Sequence, residues 1–200
     1  MEKILPLKFF DQRTLAVARG LLGQKLVRNV PPSRGASAGK RGQTIALTIA
    51  EVEAYDGPND RASHASRGRT PRTAVMFGKP GYFYVYFTYG MHWLVNVVTG
   101  PEGYPAAVLL RAGIYEDPKT HELKHINGPA RLTKFLKIDG RLNARPASRR
   151  TGLWFEKGDK KISRRAIIAA SRIGVDYAGQ KWANKKWNFK ILSPSFPRRD

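Results

Sequence analysis

The sequence contains no cysteine, which excludes disulfides, thiolate nucleophiles, iron–sulfur clusters and every cysteine-ligated zinc site. No apolar run approaches the roughly 18 residues of a membrane span. Met1-Glu2-Lys3 is followed by Ile4-Leu5-Pro6-Leu7-Lys8, too short and interrupted for a secretory signal. A cytoplasmic setting is therefore expected. Phosphate-cradling glycine patterns are missing, and no complete Ser-His-Asp signature stands out. Acidic residues are scarce: 15 Asp and Glu face 36 Lys and Arg, leaving a net charge of +21. Such an excess points to a polyanionic partner, nucleic acid above all.

What is present fits one domain. Two hundred residues with 42% apolar content can bury a substantial core, which excludes a wholly disordered basic tail. The charge is uneven. Residues 141–200 carry 16 basic and 4 acidic groups, whereas residues 51–60 hold Glu51, Glu53, Asp56 and Asp60 with no base among them. Four acids together in so basic a chain require an explanation.

Residues 11–22 read as a helix with Asp11 as N-cap, Leu15, Ala18 and Leu22 on one stripe, and Gly23 as the stop. Strand patterns follow at Lys25–Val30, 44–55, 82–89, 93–98 and 106–112. A second short helix starts at Pro129, a good first helical residue, with Leu132, Phe135 and Leu136 on one face. Residues 31–43 form a Pro/Gly/Ser loop. Central strands flanked by helices predict an α+β chain, a single domain over 1–200 on a curved, mainly antiparallel sheet.

Along TIALTIAEVEAY, Ile45, Leu47 and Ile49 share a parity that Glu51, Glu53 and Tyr55 continue. An aliphatic face thus runs into two carboxylates and a phenol. A carboxylate there is partly desolvated and suits a base working near neutral pH; a solvated pair beyond the core edge fits the pattern equally well. In YFYVYFTY, Tyr82, Tyr84 and Tyr86 occupy one face, and Phe83, Val85, Phe87 and Tyr89 the other. A tyrosine row offers flat, electron-rich rings on which a base, particularly a cationic one, can stack.

His121-Glu122-Leu123-Lys124-His125 matches the zinc-hydrolase pattern H-E-x-x-H. Pro118 before it and Asn127-Gly128-Pro129 after it leave little over one helical turn. The best remote third ligand is Glu156. The match is read as a decoy, and neither metal nor cofactor is expected.

The block from Glu51 to Val98 is the most specific part of the chain. Glu53-Ala54-Tyr55, Ala62-Ser63-His64, Thr70-Pro71-Arg72, Tyr84-Val85-Tyr86, Tyr89-Gly90-Met91 and Asn96 follow one another in a spacing that resembles the alkyladenine (3-methyladenine) DNA glycosylase family of methylpurine repair enzymes. Phe9-Phe10-Asp11-Gln12, Leu109-Leu110-Arg111-Ala112, Asn127-Gly128-Pro129 and Arg172-Ile173-Gly174-Val175 extend the resemblance over nearly the whole chain.

The resemblance implies an enzyme that flips alkylated or deaminated purines from duplex DNA and hydrolyses the N-glycosidic bond. A monomer associated with the nucleoid is expected, and the compact length points to a bacterial source. It implies Glu53 as the base that activates water, with Arg111 beside the water and the target phosphate. Tyr55, His64 and Tyr86 would enclose the flipped base, Ala62 would border it, and Asn96 would crowd a 2-amino group. Tyr89 would be the minor-groove wedge, with Gly90 and Met91 at its flank. Arg67, Arg69, Arg72, Arg131, Arg172 and Lys181 would contact phosphates. Where many members carry Gly-Pro-Gly-Lys-Leu, this chain has Gly128-Pro129-Ala130-Arg131-Leu132, and residues 142–150 are unusually basic. Two other readings are a non-catalytic nucleic-acid-binding protein on the same fold, and a lyase using Lys79.

Overall fold

A computed structural model describes residues 3–31, 42–159 and 162–192. The loop expected at 31–43 lies outside the described residues except at its ends. Nine strands join one sheet: β1 (Lys25–Val30), β2 (Gln43–Asp56), β3 (Phe83–Thr88), β4 (His92–Val98), β5 (Ala106–Glu116), β6 (Leu123–Asn127), β7 (Leu153–Glu156), β8 (Ile167–Ala170) and β9 (Asn188–Ile191). Every pairing is antiparallel, in the order β3-β4-β5-β2-β1-β7, with β6 added to β5 and β9 joining β2 to β8. Among the described residues four short α-helices accompany the sheet: α1 (Leu7–Phe10), α2 (Thr14–Leu21), α3 (Pro129–Phe135) and α4 (Gln180–Ala183). The class is α+β.

The two longest strands organise the rest. β2 and β5 pair from Leu47↔Tyr115 to Asp56↔Ala106, and both change partners midway. The first half of β2 pairs with β1 and its second half with β9. Likewise β5 passes from β4 to β6. The exchange on β2 coincides with an irregularity at Ile49–Glu51, after which the original register resumes. The core-facing parity nevertheless switches at the break: Val52 and Ala54 join Ile45, Leu47 and Ile49 in the main core, so Glu53 and Tyr55 lie on the opposite face rather than continuing the aliphatic one as the alternation predicts. Before the break the face away from the core, with Thr44 and Ala46, is exposed; beyond it that face carries the fully buried Glu53, so both faces of the strand are covered. This is where Glu53 sits.

The tyrosine strand also divides as its pattern requires. Phe83 and Val85 join the main core, while Tyr84 is buried in a separate cluster with Ala65, Met76, Val98 and Ala107, against which Tyr86 packs. The first helix differs from its expectation. The helix is shorter than 11–22: α1 ends at Phe10 with Asp11 as its C-cap, and α2 starts only at Thr14, with Arg13 as its N-cap. Asp11 is thus not the N-cap, and the Thr14 hydroxyl bonds Asp56 at 2.6 Å, a tertiary contact that ties α2 to the end of β2. The H-E-x-x-H segment is a turn with His121 at a positive φ, followed by β6, so its histidines do not share a helical face.

Arg172 is the clearest correction. Its guanidinium is fully buried, paired with both oxygens of a fully buried Asp60 and bonded to the Ala54 carbonyl at 2.9 Å. It lies 4.8 Å from the ring centre of Tyr55 and 5.0 Å from that of Trp187. No surface remains for a phosphate. Removing one partner of such a pair leaves a charge uncompensated, so Asp60→Ala should lower unfolding free energy by about 3–5 kcal/mol in urea titration. Asp60→Ala/Arg172→Met should recover part of that loss.

Candidate active site

Glu53 projects from β2 with no solvent exposure, and four groups donate to its carboxylate. Oε1 accepts from the Ile173 backbone N–H at 2.8 Å and from Asn188 Nδ2 at 3.0 Å. Oε2 accepts from the Tyr55 hydroxyl at 3.0 Å and from Arg111 Nη1 at 3.1 Å. The four donors come from β2 itself, β5, β9 and the segment after β8. Two oxygens have about four lone-pair positions, so the anion is fully satisfied where water cannot solvate it. Glu51 lies beside it, taking Arg111 Nε at 3.2 Å and Asn188 Nδ2 at 2.7 Å.

Three of the Glu53 donors, Tyr55, Arg111 and Ile173, line a cavity of about 320 Å³, a size in the range of small-ligand sites, while Glu53 itself lies behind them and is not part of its wall. Tyr55, Ala62, His64, Tyr86, Asn96 and Arg111 all line it, and Tyr89 stands at its border. His64 meets Tyr86 edge-on, 4.8 Å between centres at 77°, so a flat ring lying against one face presents its edge to the other. Asn96 donates to the Tyr84 carbonyl at 3.0 Å, which fixes its amide orientation. The Tyr55 phenol is pushed well above its ordinary range, first by burial and then by the adjacent Glu53 carboxylate, so it remains a donor. Burial raises Tyr86 likewise.

The hairpin between β3 and β4 turns at Tyr89 and Gly90, both at positive φ (52° and 65°). Tyr89 is 85% exposed and Met91 67%. A Cβ on Gly90 would meet nothing within 4 Å, so the backbone conformation, rather than a close approach, is what requires glycine there.

The sequence profile of the methylpurine-DNA glycosylases matches residues 8–194. The chain belongs to that family. The human DNA-3-methyladenine glycosylase is 36% identical over 206 residues, 94% of this chain and 65% of the human one. A Methanocella arvoryzae protein is 43% identical over 93% of this chain and 91% of its own length. An Anaeromyxobacter dehalogenans protein is 41% identical over 98% and 86%. Both carry the 3-methyladenine DNA glycosylase name provisionally. This methylpurine-DNA glycosylase is thus an enzyme of the class that hydrolyses N-glycosyl bonds.

Its basic residues divide by position. Arg67 and Arg72 line a wider cleft of about 710 Å³ that shares Ser63, His64 and Tyr177 with the cavity. Arg72 also lies 5.0 Å from the ring centre of Tyr86. Arg69 and Arg131 are exposed outside both, and Lys181 lines a third cleft with Arg61 and Lys185. Lys79 borders none of the three. Among the described residues no cluster of three His, Asp or Glu could hold a metal, and no helix is long and apolar enough to cross a membrane.

Sequence reasoning missed Asn188, Ile173 and Tyr177. Tyr177 donates to the Ala62 carbonyl at 2.9 Å and borders the cavity. Nothing local marks these positions, because tertiary pairing brings them to the site. The signal available is that Ile173 and Tyr177 lie in family-like stretches, Arg172-Ile173-Gly174-Val175 and Tyr177-Ala178-Gly179; Asn188 has none.

His64 Nδ1 stands 3.0 Å from the Tyr84 hydroxyl. Burial, then the nearby Arg72 charge, lowers its pKa to about 4. The fold favours the neutral ring, so its stability contribution is whole above about pH 6.5 and is lost as pH falls through about 4. NMR titration of His64 should give a midpoint near 4, with no step between pH 5 and 8; a midpoint near 6.5 is the contrary result.

Proposed function

We propose that this enzyme removes alkylated or deaminated purines (3-methyladenine, 7-methylguanine, hypoxanthine, ethenoadenine) from duplex DNA, as a monomer, with Glu53 as general base. The observation that carries the reading is a fully buried carboxylate beneath an aromatic, nucleobase-sized cavity. Its two oxygens have different duties. Oε1 is fixed by Ile173 and Asn188, neither of which donates from a group that has to move. Oε2 is held by Tyr55 and Arg111, both cavity-lining, and is the oxygen at which water replaces or shares a donor.

The flipped nucleotide enters the cavity, a step that costs least for a lesion that weakens pairing. Tyr55 supplies one face; His64 and Tyr86, being perpendicular, supply a second face and an edge. Stacking of this kind is worth about 1–3 kcal/mol per base. The N-glycosidic bond breaks with its electron pair leaving on the purine. Water oxygen bonds to C1′, and its proton passes to Glu53. A purine alkylated at N3 or N7 is already cationic and departs neutral. Neutral lesions require an added proton on the base. Positive charge developing on the sugar is stabilised by the Glu53 carboxylate. Asn96 disfavours bases bearing a 2-amino group, and Tyr89 fills the vacated stack while Arg67, Arg69, Arg72, Arg131 and Lys181 hold phosphates.

Glu53→Gln should still bind lesion-containing duplex and lose base release by at least about 100-fold. Gel-shift and single-turnover excision on a hypoxanthine duplex measure the two separately. Excision at the parental rate would remove Glu53 from the chemistry.

Lesion-duplex affinity should fall linearly with the logarithm of salt concentration, at a slope of about −0.9 per phosphate neutralised. Arg67→Gln should reduce that slope by about 1 across all lesions, as a phosphate contact does.

A further inference from the structure

The pair of acids at the end of β2 leaves Glu51 unexplained: neither acid lines the cavity, and Glu51 shares every side chain donor from other strands that reaches Glu53. Arg111 gives Nε to Glu51 and Nη1 to Glu53, at 3.2 and 3.1 Å. Asn188 gives Nδ2 to Glu51 and to Glu53, at 2.7 and 3.0 Å. The result is a closed ring of two acceptors and two donors across β2, β5 and β9. Strand register builds it: Glu53 is the direct partner of Asn188, Glu51 pairs two residues further along at Lys190, and the irregularity at Ile49–Glu51 sets Glu51 opposite Ala112, next to Arg111.

The amide of Asn188 records how strongly the two acids dictate this arrangement. Its Oδ1 is buried with no hydrogen-bond partner. Turning the amide over would bring that oxygen against two carboxylates, so the orphaned acceptor is the lesser cost. Arg111 is constrained by the same logic. An arginine facing one carboxylate takes it with two parallel N–H groups. Here one of the two is held by Glu51, and Glu53 receives a single guanidinium nitrogen.

We propose that Glu51 is a positioning residue for hydrolysis at Glu53, dividing Arg111 and Asn188 between two acceptors so that neither closes fully on the acting carboxylate. Without it, the Arg111 fork turns onto both Glu53 oxygens, and the position on Oε2 needed by water is occupied. The role is that of an acceptor, which distinguishes Gln from Ala at this site. It rests on Glu53 being the base.

The test uses the full chain and a duplex bearing one hypoxanthine, with duplex affinity and the single-turnover rate at saturating enzyme measured separately. Glu51→Ala should slow base release by about 10-fold or more with affinity within about 3-fold of the parent, a split that marks loss of transition-state stabilisation. Glu51→Gln, whose amide oxygen accepts from both donors, should return the rate to within about 3-fold of the parent. Parental excision by Glu51→Ala, or equal loss in Glu51→Ala and Glu51→Gln, overturns the proposal. Should Glu51→Ala fail to fold, Asn188→Ser removes the second shared donor: slowed release at unchanged affinity supports the inference, and a parental rate overturns it. Glu53→Gln in the same series separates the two readings. If it excises, the base assignment itself fails; if it is inactive while Glu51→Ala is parental, only the positioning role fails.

Discussion

One buried anion sets the terms for the rest of the molecule. A carboxylate stripped of water is costly unless donors replace its whole hydration shell. For Glu53 those donors are drawn from four separate stretches of chain. Satisfying it is therefore equivalent to assembling β2, β5, β9 and the 171–175 segment in register. The partner exchange midway along β2 makes this possible, because it brings β9 alongside the acids while β5 stays on the opposite edge.

The acidic run at 51–60 acquires its explanation here. Glu51 and Glu53 share Arg111 and Asn188, Asp56 takes the Thr14 hydroxyl, and Asp60 is locked to Arg172. All four acids face inward tasks. Confining carboxylates to such tasks leaves the positive excess for the surface, where Arg61, Arg67 and Arg72 border the clefts beside the cavity. The charge imbalance of the sequence thus has two physical halves, an anionic interior site and a cationic rim.

Much of this was legible because it follows from alternation. Parity along β2 and β3 placed Glu51, Glu53 and Tyr55 on one face and separated the tyrosines from Phe83 and Val85; it misplaced the acids on the face of Ile45, Leu47 and Ile49, because the irregularity at Ile49–Glu51 turns Val52 and Ala54 into the main core instead. What alternation cannot reveal is which distant strand arrives alongside. Asn188 and the Ile173 N–H were invisible for that reason. Arg172 was misjudged because an arginine in a basic segment looks like surface until its acid, 112 positions away, is known. The late start of the helix expected at 11–22 had the same origin: Thr14 bonds a strand end rather than serving its own helix.

The turn at Tyr89 and Gly90 has a consequence for how the exposed ring meets another surface. A loop free to wander gives up much of its freedom on contact, and affinity suffers accordingly. The turn is closed by the Met91 N–H on the Thr88 carbonyl at 3.2 Å, and the β3–β4 ladder anchors it up to Thr88↔His92. Little disorder then remains to be surrendered when the phenol ring is buried. The hairpin behaves as a stiff probe, so selectivity at its tip comes from how readily the opposing surface yields.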